Sequence, residues 1–254
     1  MKIKIFSAYY GNMPKIIEND IIVPIQGGAS LQDNDLIKLK DSVSPEISKK
    51  NDMYNEFTVL YAIWKYYSKD LDYVGLCHYR RYFVLKKYKI IFEVIKRITK
   101  RPLFHIFFVN RTTLKLVKIL KKKELIIPKL KKIDMSMKEY YEEKHIKKHY
   151  EIFENVIREE FKFLEKYLDF TSRRKAGYFL NMFIMKKDLF EEYCENVFRF
   201  LSIIERKIDV SEENQYQKRA LGFLGERFTN LFYIYLIESK NVNKFKEMSI
   251  ITIK

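Results

Sequence analysis

The stretch Asp72-Tyr73-Val74-Gly75-Leu76-Cys77-His78-Tyr79-Arg80-Arg81-Tyr82-Phe83 joins an apolar run to a cationic end. Its first half is nearly continuous in apolar residues, which is typical of a central strand covered on both faces. Open α/β sheets bind ligands beyond the carboxyl ends of their strands, so the polar end predicts a binding site. In extended geometry His78 and Arg80 would lie on one side of the strand, and Tyr79 and Arg81 on the other.

Further apolar runs alternate with helical patterns along the chain. A helix from Asn51 is predicted because Met53, Phe57, Leu60, Tyr61 and Trp64 follow the 3.6-residue period. Strands are predicted over 2–10, 124–128 and 178–185, and helices over 138–168, from Asp188 onward and from Gly225 to about Glu238. This alternation predicts α/β layers with a mostly parallel central sheet flanked by helices, in one domain that spans residues 1–254.

Length and composition exclude several classes of protein. The 254 residues are 47% hydrophobic, so the chain can bury a large core and is not globally disordered. Two cysteines, Cys77 and Cys194, cannot build a disulfide framework or a four-thiolate zinc site. The N-terminus lacks the pattern of a targeting segment, and the longest apolar runs are far shorter than the roughly 20 residues of a membrane helix. We therefore expect a cytoplasmic protein that is soluble or peripheral on the inner face of the cell membrane.

The positive charge is concentrated in one segment. The formal net charge is +16, and residues 86–132 hold 16 Lys and Arg against Glu93 and Glu124, which gives 16 − 2 = +14. Within 86–109 basic residues interleave with apolar ones, as in a basic amphipathic helix that lies on an anionic membrane surface. Two other interpretations stay open, a solvated helix packed on its own domain and a nucleic-acid surface. No nucleic-acid-binding signature is present, so we expect no nucleic-acid partner.

The cationic cluster suits a diphosphate. Arg80 and Arg81 offer planar guanidinium groups that match phosphate oxygens, and His78 adds a further hydrogen-bonding group. The alternative is a structural cluster that pairs with carboxylates such as Glu56. That carboxylate falls within the apolar arc of its predicted helix, where it would need partners.

Several blocks together resemble one known family. Val74-Gly75-Leu76-Cys77-His78-Tyr79-Arg80-Arg81-Tyr82-Phe83 resembles the signature of bacterial capsular and exopolysaccharide glycosyltransferases, a family long known only as a domain of unknown function, with the GT-A nucleotide-sugar fold. Four more blocks are similar to those of the family: 6–10, 47–65, 181–185 and 222–228. The chain departs from the family pattern at 41–45, which is only loosely similar, and at 86–109, which is divergent or inserted.

The resemblance implies a reaction and its partners. A hexose, such as a galactose form, would move from a UDP-sugar to a growing lipid-linked oligosaccharide in capsule, exopolysaccharide or O-antigen synthesis. The resemblance also places residues at the site. The nucleotide would contact Tyr9, Tyr10 and Asn51; core packing is the alternative for the two tyrosines, and a helix N-cap is the alternative for Asn51. The acceptor or donor cleft would include Tyr141 and His145, which are four residues apart, together with Asn181, and a structural or surface role is the alternative for His145.

The residues extend that implied mechanism. Many GT-A enzymes hold a divalent metal with an Asp-x-Asp motif where this chain carries His78, Arg80 and Arg81, so we expect these three to replace the metal and to neutralise the leaving diphosphate. No cofactor is expected, with Mn²⁺ or Mg²⁺ as the alternative. Asp33-Asn34-Asp35 spells Asp-x-Asp but follows a polar loop, which favours an exposed turn.

A catalytic base is needed if the transfer inverts the anomeric carbon. Glu226 is the first candidate, at the predicted start of the last helix, and Glu56 is the second. The alternative for Glu226 is a structural carboxylate that the helix dipole favours at an N-terminus. The rival function, from another class, is a non-enzymatic basic module that binds a membrane or nucleic acid.

Overall fold

Strands and helices alternate through the computed structural model, which describes residues 1–11, 16–32, 37–98, 104–239 and 244–253. The strands there are β1 Ile3–Tyr9, β2 Ile22–Gln26, β3 Leu39–Lys40, β4 Tyr73–His78, β5 Arg81–Val84, β6 Leu125–Pro128, β7 Lys131–Lys132, β8 Ala176–Gly177, β9 Phe183–Lys186 and β10 Phe245–Thr252. The helices there are α1 Pro45–Ser48, α2 Asn51–Tyr54, α3 Phe57–Ala62, α4 Lys86–Ile98, α5 Phe104–Leu120, α6 Met137–Glu142, α7 Lys147–Glu160, α8 Lys162–Arg173, α9 Lys187–Lys207 and α10 Ala220–Glu238.

Eight strands form one mixed sheet in the order β3-β2-β1-β4-β5-β10-β6-β9. Neighbours run parallel from β3 to β4 and between β10 and β6. The strand β5 is antiparallel to β4 and β10, and β9 is antiparallel to β6 and also to β4, which closes five strands into a ring. The mixed α/β class is confirmed. The mostly parallel sheet is not, because five of the nine pairings in the described residues are antiparallel, with β7–β8 as the fifth.

The antiparallel part begins at the connection between β4 and β5. Only Tyr79 and Arg80 separate the two strands, and His78 pairs with Arg81. So short a connection joins antiparallel neighbours, since a parallel pair needs a crossover of about a dozen residues. The prediction of extended geometry through His78-Tyr79-Arg80-Arg81 is therefore wrong, because residues 78–83 form a hairpin.

The central strands β1 and β4 are buried on both faces. Phe6 and Val74 pack into the larger core, which lies under α3, α7, α8, α9 and α10. Ile5 and Cys77 point to the opposite face, where α4 and α5 cover a second core. Successive side chains of each strand point to opposite faces and so pack into two different apolar cores. This explains why the β4 sequence is almost uninterrupted in apolar residues.

Several helices differ in extent from the sequence-based prediction. The tract predicted over 138–168 is three helices, α6, α7 and α8. The first of them starts at a capping box in which Ser136 and Glu139 each bond the other's backbone N–H. The last helix begins at Ala220, five residues before the predicted start. The basic segment predicted over 86–109 contains α4 and the start of α5, and its residues 99–103 lie outside the described residues.

Candidate functional site

The carboxyl ends of β2, β1 and β4 meet at one edge of the sheet. In the register Tyr9 pairs with Gln26 and Ala8 pairs with His78. Two cavities, of about 580 and 470 Å³, lie at this edge. They share six lining residues: Asn55, Glu56, His78, Tyr79, Arg80 and Arg219. The structure thus brings the cationic cluster and a carboxylate together from distant parts of the chain.

The hairpin turn presents the cations to these cavities. His78, Arg80 and Arg81 all line the cavity of about 470 Å³. The Arg80 guanidinium donates a hydrogen bond to the Tyr79 hydroxyl and lies 4.6 Å from the centroid of that ring. We expected His78 and Arg80 on one side of an extended strand and Arg81 on the other. This prediction is wrong, because Tyr79 and Arg80 form the turn of the hairpin.

The imidazole of His78 is neutral at pH 7. Burial, followed by the neighbouring Arg81 charge, lowers the pKa of His78 to about 4, although Glu226 opposes the shift. Its Nε2 is buried and has no hydrogen-bond partner among the described residues. His78 therefore offers a hydrogen-bonding nitrogen to a ligand, and the positive charge of the cluster comes from the arginines.

A break between α2 and α3 places Glu56 at the cavities. The periodic helix predicted from Asn51 stops at Tyr54, and Asn55 takes the left-handed φ of 51°. Burial and the Glu226 charge raise the pKa of Glu56 to about 7, while its own backbone N–H, Arg219 and Arg81 act in the opposite direction. A carboxyl group with this pKa can accept or release a proton near neutral pH.

Glu226 lies in the second turn of α10 and lines the cavity of about 470 Å³. One carboxylate oxygen accepts a hydrogen bond from the Leu180 backbone N–H at 2.6 Å. The other accepts from the Arg227 guanidinium at 2.8 Å. Leu180 itself has a left-handed φ of 69°. The same cavity is therefore flanked by two strained non-glycine residues, Asn55 and Leu180, and such strain is often stored at functional sites.

Arg219 is a site residue that the sequence analysis missed. It lines both cavities, and its Nε donates to Asn55 Oδ1 at 2.7 Å. The sequence does not show that Arg219 and Arg81 line the same cavity, because only the fold brings the region before α10 close to the end of β4. The basic pair Lys218-Arg219 directly before a long apolar helix was the available signal.

Asp41 ties together segments that adjoin the larger cavity, which is lined by Gly27 and Val59. Its buried carboxylate accepts hydrogen bonds from the backbone N–H groups of Gly28 (2.7 Å) and Ala29 (2.9 Å). It also accepts from the hydroxyls of Ser48 (2.6 Å) and Thr58 (2.5 Å). Four donors compensate the cost of burying the charge, and together they tie the loop after β2 to α1 and α3.

The three residues assigned to the nucleotide differ in their surroundings. Tyr10 is 47% exposed and lines the cavity of about 580 Å³. Tyr9 is buried, and its hydroxyl bonds the Tyr82 hydroxyl. The Asn51 amide donates to the Thr58 hydroxyl and to the Asn55 carbonyl. All three line this cavity, but only Tyr10 has a substantially exposed side chain.

None of the three residues assigned to the acceptor lines either of the two cavities. The shared helix face predicted for Tyr141 and His145 is wrong, because α6 ends at Glu142 and His145 lies in the bend beyond it. Their ring centroids are nevertheless 4.7 Å apart. His145 packs against Phe223, which does line one of them, and burial lowers the pKa of His145 to about 4. Asn181 is buried and accepts a hydrogen bond from the Tyr193 hydroxyl.

Within the ranges that the structure describes, no group of three or more His, Cys, Asp and Glu side chains is placed to hold a metal ion. The Asp33-Asn34-Asp35 motif lies outside the described residues. The expectation that no metal cofactor is needed, with Mn²⁺ or Mg²⁺ as the alternative, therefore stays a prediction.

Comparison with known proteins adds a family and a fold. Residues 4–240 match the model of a family described as a domain of unknown function, DUF4422. The chain belongs to the DUF4422 family. Its structure also matches the apo structure of WbbM, a bifunctional glycosyltransferase, with a TM-score of 0.83 and 22% sequence identity. The match covers 100% of this DUF4422 chain but 46% of WbbM, so the likeness concerns the fold of one part of that protein. No curated protein matches the chain.

Proposed function

We propose that this DUF4422 protein is a glycosyltransferase of the GT-A type that uses a nucleotide-sugar donor. The proposal rests on one observation: Arg80, Arg81 and Arg219 line the same cavity as Glu56. The pKa of the Glu56 carboxyl group is raised to about 7. Cations at the carboxyl ends of parallel strands suit a diphosphate, and a carboxyl with this pKa suits proton transfer. The fold shared with part of WbbM supports the same reaction class.

In this proposal the arginines stabilise the leaving group. The bond between the sugar C1 and the diphosphate oxygen breaks, and its electron pair stays on the nucleoside diphosphate. Arg80, Arg81 and Arg219 neutralise that charge, and His78 contributes a hydrogen bond from its neutral ring. They take the role that a divalent metal has in many enzymes of the GT-A type. If a chelator abolishes activity and only Mn²⁺ or Mg²⁺ restores it, this part of the proposal is wrong.

Glu56 is the base that we favour for an inverting transfer. As the acceptor oxygen forms its bond to C1, the proton of that hydroxyl passes to the Glu56 carboxylate. Glu226 was the first candidate from sequence, but Leu180 and Arg227 already bond its two oxygens. We assign Glu226 the role of raising the pKa of Glu56 by its charge. Glu56→Gln should abolish turnover while donor binding survives; the same result from Glu226→Gln alone would exchange the two roles.

The donor and acceptor are proposed from the family resemblance. We propose a UDP-hexose, such as a galactose form, whose base stacks on Tyr10, while Tyr9 and Asn51 shape the cavity behind it. The acceptor is a lipid-linked oligosaccharide of capsule, exopolysaccharide or O-antigen synthesis, made on the cytoplasmic face of the membrane. Tyr141, His145 and Asn181 would support the cleft from behind, through neighbours such as Phe223.

A ligand panel tests the proposal directly. UDP and UDP-sugars should raise the melting temperature, because a ligand at 100 times its dissociation constant adds roughly 2.7 kcal/mol of stability. Arg81→Ala should remove this shift, and Arg199→Ala, an exposed arginine on α9, is the matched control. Short DNA and RNA should give no shift. Stabilisation by nucleic acid and none by any nucleotide sugar would instead favour a basic binding module.

A further inference from the structure

Helices α4 and α5 pack side by side on one face of the sheet. Phe92 of α4 and Phe108 of α5 are buried in the same apolar core, and Tyr88 stacks on Phe108 with centroids 5.7 Å apart. Because both helices cover the same sheet face, their outward sides share one face of the molecule. We call this the α4–α5 face.

The apolar arc of α4 is wider than the side that packs on the sheet. At about 100° per residue, Tyr88, Phe92 and Ile95 fall within an arc of ~60° that faces the core. Ile90, Ile91 and Val94 occupy the next ~100° of the helix, on its outward side. These three side chains are 56%, 44% and 50% exposed. The helix therefore presents a second apolar stripe that no described part of the chain covers.

The outward side of α5 has the same character. Phe107, Leu114 and Val117 are 50%, 73% and 39% exposed. Large apolar side chains exposed at such a density on two neighbouring helices mark an interaction site rather than ordinary surface.

Basic side chains surround the exposed apolar residues. The described parts of α4 and α5 carry eight basic residues: Lys86, Lys87, Lys89, Lys96, Arg97, Arg111, Lys115 and Lys118. Glu93 is the one acidic residue of these two helices. The Arg111 guanidinium lies 5.2 Å from the centroid of the exposed Phe107 ring, so charge and apolar surface are directly adjacent.

We propose that the α4–α5 face docks on an anionic lipid bilayer, with its apolar side chains in the boundary between headgroups and acyl chains. The basic residues would contact lipid phosphates, and aliphatic side chains such as Ile90 and Leu114 would enter the boundary. A second copy of the chain fits less well, because two faces of the same positive charge repel. Nucleic acid also fits less well, because five of the six exposed apolar side chains are aliphatic and only Phe107 offers a ring on which a base could stack.

The α4–α5 face is connected to the candidate site by one short strand. β5 starts at Arg81 in the cavity and ends at Val84, and α4 begins two residues later at Lys86. Docking of this face would hold the cavity close to the membrane surface. The docking inference does not depend on the proposed sugar transfer, because it is tested with lipid alone.

A site-directed fluorophore tests insertion. The native thiols of Cys77 and Cys194 are buried, so a dye that reacts with thiols will label an added surface cysteine selectively. Leu114→Cys, carrying an environment-sensitive dye, should show a blue shift with vesicles of phosphatidylglycerol and phosphatidylcholine. Pure phosphatidylcholine vesicles should give little change. The matched control is Phe170→Cys, since Phe170 is 57% exposed on α8, across the sheet from the α4–α5 face. Its dye should not respond.

Two pairs of substitutions separate charge from insertion in a vesicle co-sedimentation assay. Lys87→Ala with Arg97→Ala should weaken binding to anionic vesicles about 25-fold, since each basic residue near the surface contributes ~5-fold. Ile90→Ser with Val94→Ser should weaken binding about tenfold through lost apolar burial, while its salt dependence is unchanged. Binding by the unmodified chain should fall steeply toward 1 M salt, where the screening length is only about 3 Å. All four side chains are exposed, so the melting temperature should not change.

Three results would overturn the inference. The first is no binding to anionic vesicles, or equal binding to anionic and neutral ones. The second is normal vesicle binding by both double variants. The third is self-association in sedimentation velocity, or binding to short DNA, that the Ile90→Ser and Val94→Ser pair abolishes while lipid gives no dye response at position 114.

Discussion

Replacing Glu56 with glutamine should stabilise the protein at alkaline pH and remove its activity. In the folded chain the pKa of Glu56 is raised from 4.5 to about 7, mainly by burial. The folded state therefore binds the proton more tightly than the unfolded state, and the stability falls as the pH rises from about 4.5 to about 7. Above that window the charged group costs about 3 kcal/mol, because each tenfold change in proton affinity is worth ~1.4 kcal/mol.

Glutamine mimics the protonated side chain and escapes this cost. Glu56→Gln should match the parent protein at pH 4 and exceed it at pH 8 by up to about 3 kcal/mol, or ~6 °C in melting temperature for a chain of this length. Thermal melts from pH 4 to pH 8 measure the difference, with the exposed Glu212→Gln as the control. A melting-temperature difference that does not vary with pH would refute the account of Glu56. Turnover should be lost at every pH.

Three other substitutions test the scaffold of the site. Gly222→Ala would place a Cβ 1.8 Å from Asn55 Nδ2 and displace the side chain that holds Arg219, so the dissociation constant for UDP should rise about tenfold by calorimetry, ~1.4 kcal/mol. Normal affinity would argue against that role of Asn55. Asp41→Asn replaces a carboxylate that accepts four hydrogen bonds, and chemical denaturation should show a loss of about 3 kcal/mol. Ser136→Ala breaks the capping box of α6 and should cost ~1 kcal/mol, while UDP affinity stays unchanged.

The sequence correctly predicts the buried strand β4 and the cationic residues that meet at its end. The apolar run of β4 signals a strand buried on both faces, and His78, Arg80 and Arg81 at its end do meet in one cavity. Here local sequence decides the outcome, because a strand and the turn that follows it are contiguous. The same holds for β1 and β6, whose short apolar runs lie within a residue or two of the predicted bounds.

Other features depend on contacts that the local pattern does not carry. The turn at Tyr79-Arg80 contains no Gly, Asn, Asp or Pro, so the usual signal for a hairpin is absent. The helical period continues through Asn55, and only the folded chain shows the break that places Glu56 at the cavities. Arg219 reaches Asn55 from 164 residues away. Such long-range pairings made the mixed sheet and the full set of site residues unpredictable from one sequence.

Along one edge, β4 changes partners near its end. The residues Tyr73 to Leu76 pair with β9, whereas His78 pairs with β5. Cys77 therefore lies at the point where one partner strand of β4 ends and the next begins. The cavity lined by Leu180, Arg81 and Thr252 opens beside this point. We attribute the volume of this cavity to the change of strand partner, which is a property of the main chain. Enlarging a side chain there would narrow the entrance, but only re-pairing of the strands would close the space. Engineering of ligand preference should consequently target the residues at the rim and leave the strand pairing intact.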